Sequence, residues 1–87
     1  MSRPLVLLHG WGVGAQVWST LAGALSGLTV HTPALPGHDD NPAPAAPTLP
    51  AWTDALAERL PDGATVCGWS LGALLALDLA ARHPHKV

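Results

Sequence analysis

Apolar positions fall in blocks whose period changes along the chain. Leu5-Val6-Leu7-Leu8 is a continuous run held between Pro4 and the glycines that begin at Gly10. Four apolar residues without polar alternation predict a strand buried on both faces, the habit of parallel sheets. Between Ala15 and Leu25 the period lengthens. Val17, Trp18, Leu21, Ala24 and Leu25 recur at helical spacing, and Gly27 offers a stop. Leu28-Thr29-Val30-His31-Thr32, rich in β-branched residues and closed by Pro33, predicts a second strand.

Pro33 to Pro50 holds six of the nine prolines. Proline lacks the backbone donor, so most of this stretch is a long loop of the kind that tends to be functional or flexible. Thr48 is placed to cap a helix running to Leu60. Leu49, Trp52, Leu56 and Leu60 then share one face, with Asp54, Glu58 and Arg59 largely on the other. Pro61-Asp62-Gly63 is a turn, and Ala64-Thr65-Val66-Cys67 a short third strand with Cys67 in its core. Leu71 to His83 is a helix of almost nothing but Leu and Ala, ended by Pro84. A helix apolar all round is expected to be covered on every side. Three strand–helix alternations predict an α/β fold: a three-stranded parallel sheet with flanking helices and right-handed crossovers.

Composition narrows the function classes. The chain has 87 residues, 48% of them hydrophobic and only 11% charged, which excludes intrinsic disorder. A formal charge of -2 provides no basic footprint, so no nucleic-acid partner is expected. The longest nearly apolar run, Leu71 to Ala81, is well short of the ~20 residues that cross a bilayer. The N-terminal Met1-Ser2-Arg3-Pro4-Leu5 lacks the features of a signal peptide, and the lone Cys67 excludes an internal disulfide. A soluble, cytoplasmic protein without a membrane partner is the expectation. So little charge leaves a poor polar skin for so small a unit, which suggests part of a larger core.

The sharpest chemical signal is Gly68-Trp69-Ser70-Leu71-Gly72, a G-x-S-x-G pattern with a strand before it and a helix after it. That context predicts a tight turn presenting Ser70 in a strained conformation at a helix N-terminus, where unpaired N–H groups favour developing negative charge. Ser70 is the candidate nucleophile, and the Leu71 N–H one candidate oxyanion donor. A Gly-Ser turn that merely starts a helix is the plainer alternative. His9-Gly10-Trp11-Gly12, directly after the first strand, can aim a second N–H into the same site. Trp11 is assigned that donor, with its indole as a wall of an acyl pocket; a buried tryptophan with no catalytic part is the alternative. Gly10, Gly12 and Ala15 also fit a dinucleotide-binding turn. That reading needs an acid at the end of the second strand, where the chain has His31, Thr32 and Pro33.

Together these segments resemble the N-terminal part of an α/β-hydrolase-fold esterase. Leu5-Val-Leu-Leu-His-Gly-Trp-Gly12, Ala34-Leu-Pro-Gly37, Gly68-Trp-Ser-Leu-Gly72 and His83-Pro84 are similar in order and spacing to the pimeloyl-acyl-carrier-protein methyl ester carboxylesterases of biotin synthesis. The tryptophan after His-Gly and the Gly-Trp-Ser-Leu-Gly turn are the more specific marks; His-Gly and Leu-Pro-Gly are widespread in the superfamily. The likeness covers nearly the whole chain but about the first third of such an enzyme. It implies a serine carboxylesterase acting through a Ser70 acyl-enzyme, on an ester carried by an acyl carrier protein, without cofactor or metal. Another small-ester or lactone hydrolase fits the same motifs.

In this superfamily the catalytic acid and histidine follow the serine. Only residues 71–87 do so here, and Asp78, His83 and His85 lie too far along the helix to serve. The resemblance makes His9 a structural residue of the oxyanion loop, and it is read here as a hydrogen-bonded packing residue. His31 and His38 are read as polar rim, Asp39-Asp40 as a solvated corner. The five histidines show no close ligand spacing, so no metal is expected. Residues 1–87 are thus expected to form an incomplete hydrolase domain that lacks the lid and the acid and histidine regions. That domain would need its remainder for a complete fold.

Overall fold

The computed structural model describes residues 3–87. Met1 and Ser2, part of the stretch considered above for a signal peptide, lie outside them. Three parallel strands, β1 (Leu5–Leu8), β2 (Val30–His31) and β3 (Thr65–Gly68), form one sheet in the order β2-β1-β3. Val6 is in register with His31 on one side and Val66 on the other, and Leu8 with Gly68. Because all three strands run the same way, their C-terminal loops emerge at one end of the sheet. Open α/β sheets bind ligands at that end.

Helix α2 (Leu49–Ala57) starts as its sequence dictates. The Ala51 N–H donates to Thr48 Oγ1 at 3.2 Å, and Pro50 sits in the first turn, where its missing donor costs nothing. The regular helix stops at Ala57, short of the expected Leu60. Arg59 N–H and Leu60 N–H continue the turn by bonding Leu56 and Ala57 carbonyls. Helix α3 spans Leu71–Arg82. Leu56, Ala57 and Leu60 meet Leu75 and Leu79 of α3 over Val6 and Leu8, with Leu35 and Ala64 closing the cluster. Each leucine fully buried there contributes on the order of 1.5–3 kcal/mol of transfer free energy.

A polar clasp on the outside holds α2 to α3. The Arg82 guanidinium donates to Asp54 at 2.8 Å, to Asp78 at 3.0 Å and to the Pro50 carbonyl at 2.9 Å. His83 Nε2 faces Asp54 Oδ1 at 2.7 Å. Hydrogen bonding from His83, then from Arg82, holds the Asp54 carboxyl below its usual 3.8.

Four expectations are corrected. The helix expected over 15–25 is a 3-10 turn (Ala15–Trp18) followed by a short helix α1 (Ser19–Ala24), with no residue of either buried. Gly14 supplies no side-chain cap, and Ser19, Thr20 and Gly23 are weak helix formers. β2 keeps only Val30 and His31 of the five residues expected. Cys67 is exposed and not in the core: β3 is an edge strand among the described residues, so Thr65 and Cys67 face outward while Val66 turns to the core. The apolar α3 is not covered all round. Leu74 is exposed and Leu77 is 71% exposed, because the described residues pack only against the Leu75–Leu79 face.

Candidate active site

Ser70 sits between β3 and α3 at φ 58°, ψ −117°. A side-chain-bearing residue reaches that region at a cost of roughly 1–3 kcal/mol. The two glycines around it explain how the turn closes. A Cβ on Gly68 would run into the Gly72 carbonyl and the Ala73 nitrogen, and one on Gly72 into the Leu8 and His9 carbonyls. The first turn of α3 therefore lies directly on the end of β1, which no larger residue permits. Trp69 N–H completes the junction by bonding the Leu8 carbonyl at 3.0 Å.

The glycine turn after β1 is the near neighbour of Ser70. A Cβ on Gly10 would stand 3.4 Å from Ser70 Cβ and 3.1 Å from the Trp69 ring. Gly12 takes φ 77°, open to glycine and strained for other residues. Among the described residues, neither the Trp11 N–H nor the Leu71 N–H donates to a protein acceptor. The Gly12 N–H, by contrast, is held by His38 Nε2 at 2.9 Å. Ser70 is exposed and its hydroxyl caps no helix donor.

Beside this junction lies a cleft of about 270 Å³ lined by Trp11, Pro47, Thr48, Leu49, Trp52, Leu71 and Leu75. Among the described residues no charged side chain lines it. Trp11, 69% exposed, forms one wall; its ring lies 6.1 Å from that of Trp52, tilted by 32°. Trp11 and Leu71 thus border both the cleft and the turn that carries Ser70. Ser70 itself does not line the cleft. Four lining residues come from the proline-rich loop and the first turn of α2, whose periodicity showed only a core face. Their signal was the proximity of Thr48 to a loop too long to be a mere connection.

The histidines divide sharply. His9 is fully buried: its Nε2 accepts the Leu35 N–H at 3.0 Å and its Nδ1 faces the Gly10 carbonyl at 2.8 Å. His38 was expected on a polar rim and is only 8% exposed, folded under Trp11 and Trp52 with its ring edge-on to both. The reason is its place at the sheet end shared by the β1 and β2 loops, which brings its ring to the Gly12 amide. His83 is engaged with Asp54 at the far end of α3. No histidine donates to or accepts from Ser70 Oγ among the described residues. Among those residues no group of three or more His, Cys, Asp or Glu could hold a metal ion, and no helix is long and apolar enough to cross a membrane.

Residues 3–87 match the alpha/beta hydrolase fold family. The chain belongs to that family. It is 68% identical, over its whole length, to a protein of Aromatoleum aromaticum named pimeloyl-[acyl-carrier protein] methyl ester esterase, of which it covers 35%. A protein of the same name from Sodalis glossinidius is 44% identical over 98% of the chain and 34% of its own length. A bifunctional biotin biosynthesis protein of Cellvibrio japonicus is 44% identical over the whole chain and 18% of its own length. Among solved structures, an extracellular alpha/beta-hydrolase from a Paenibacillus species superposes with a TM-score of 0.77 at 25% identity, covering 98% of this chain and 37% of that one. The chain thus spans about a third of the length of these two esterases.

Proposed function

We propose that this chain carries the nucleophile and oxyanion half of a serine carboxylesterase. The observation that supports the reading is the placement of Ser70. The residue stands in a strained turn against the Gly10–Gly12 loop, and among the described residues neither the Trp11 nor the Leu71 amide hydrogen is given to a protein acceptor. In the reaction, Ser70 Oγ attacks the ester carbonyl carbon while a histidine takes its proton. The carbonyl oxygen, now negative, is held by the two amides. Collapse returns that proton to the departing alkoxide, which leaves as an alcohol, and water then releases the acid from the acyl-enzyme. Loss of one oxyanion donor in such a site typically costs about 3–4 kcal/mol of transition-state stabilisation.

The substrate proposed from the relatives' names is pimeloyl-acyl-carrier-protein methyl ester, with methanol as the leaving alcohol and a place in biotin synthesis. The uncharged cleft beside the turn suits an apolar acyl chain. A cytoplasmic location accords with such a substrate. We propose further that residues 1–87 alone are an incomplete hydrolase domain and inactive, because among the described residues no histidine bonds Ser70 and an unassisted serine is a weak nucleophile. Two assays test these statements. Ser70→Ala in the polypeptide as its gene encodes it should abolish methyl ester hydrolysis, and retained activity would refute the nucleophile. The purified 87 residues should turn over a short aryl ester no faster than buffer; rapid turnover would refute the inactivity.

A further inference from the structure

Two buried histidines are exchanged between the loops that follow β1 and β2. His9, on the first loop, takes the Leu35 N–H of the second; His38, on the second, takes the Gly12 N–H of the first. In each ring Nε2 is the acceptor, so it carries no proton. The remaining nitrogen then holds the hydrogen, and each Nδ1 has a carbonyl to receive it: Gly10 O at 2.8 Å from His9, Pro36 O at 3.1 Å from His38. Both imidazoles are therefore neutral and of the same tautomer. Their ring centres are 4.9 Å apart.

We infer that His38 is a positioning residue. As a neutral imidazole it pins the Gly10–Gly12 turn, and with it the Trp11 amide, against the Leu35–His38 loop, and protonation releases that hold. A proton on Nε2 would set one N–H against another at Gly12 and remove the acceptor. From the β1 loop the ring meets His9 and Trp11, and from α2 it meets Trp52. The nearest carboxylates in the chain, Asp39 and Asp40, are exposed, and Asp39 Oδ2 is turned to the Ala15 N–H at 3.4 Å. Gly12 adds the necessary compliance: at φ 77°, with nothing within 4 Å of where a Cβ would stand, the turn can swing once its amide is freed. The catalytic consequence rests on the oxyanion role proposed for Trp11; the hold itself does not.

The test is nitrogen-15 NMR of the labelled polypeptide as its gene encodes it, titrated between about pH 8 and pH 5, the range in which imidazoles change charge. At the upper end, His38 should show a protonated Nδ1 and a bare Nε2. Protonation of His38 should move the Gly12 and Trp11 amide resonances in one transition, and the Gly12 amide should exchange about fivefold faster, the factor of a hydrogen bond of typical net strength. His38→Gln, whose amide oxygen can stand where Nε2 stood, should keep the Gly12 hydrogen bond and lose the transition. A protonated Nε2 at the upper end, or Gly12 and Trp11 amides that ignore the titration, would overturn the inference. So would a Gln variant that still shows the transition. Because no turnover is read, the inference can fail while Ser70 remains the nucleophile, and can hold if Ser70 proves inert.

Discussion

At the scale of single residues, Ser70 is held in a conformation that its own side chain opposes. Glycine adopts φ 58° without that opposition, so Ser70→Gly should stabilise the fold by about 1 kcal/mol while removing the proposed nucleophile. Ser70→Ala keeps a Cβ and should give no such gain. Denaturant unfolding of the three chains distinguishes them; equal midpoints would show that the turn is unstrained. Some of this site was legible in the sequence and some was not. The G-x-S-x-G pattern between a strand and a helix carries the turn, because its glycines answer to backbone collisions that only glycine avoids. The part of His38 was not legible. Its burial depends on which loops share a sheet end, and sequence spacing does not display the order β2-β1-β3.

Among the elements, α2 and α3 are joined by two different forces with different responses to mutation and pH. Inside, Leu75 is fully buried between them, and Leu75→Ala should cost about 2–5 kcal/mol. On the outer face of the same helix, Leu77→Ala should stay within about 0.5 kcal/mol. Chemical denaturation of both variants checks the contrast, and equal losses would mean that Leu77 is covered in solution. Outside, Asp54 is held below its ordinary value of 3.8 by His83 and Arg82. A carboxyl lowered in the folded state adds stability that is present above its unfolded value and fades as pH falls through the folded one. The clasp should therefore hold at neutral pH and weaken below about pH 4, and Asp54→Asn should flatten the acid limb of a stability–pH curve. An unchanged acid limb would show that Asp54 is unpaired in solution.

For the molecule as a whole, the alternation of strands and helices in the sequence was enough to give three parallel strands, since runs such as Leu5–Leu8 have no other home. Coverage was not readable in the same way. An all-apolar α3 implies neighbours on every side, and Cys67 reads as strand core, yet Leu77, Cys67 and Thr65 face outward among the described residues. The chain spans about a third of the length of the esterases named above. The sheet end bearing Ser70, Trp11 and Leu71 is where the chemistry is proposed. The most direct measurement is a trapped acyl- or phosphonyl-enzyme, made by exposing the gene product as encoded to an activated phosphonate and mapped by peptide mass spectrometry. A single adduct on Ser70, absent from the Ser70→Ala variant, is the predicted result. An adduct on another residue, or one that survives in the variant, would contradict the assignment of Ser70.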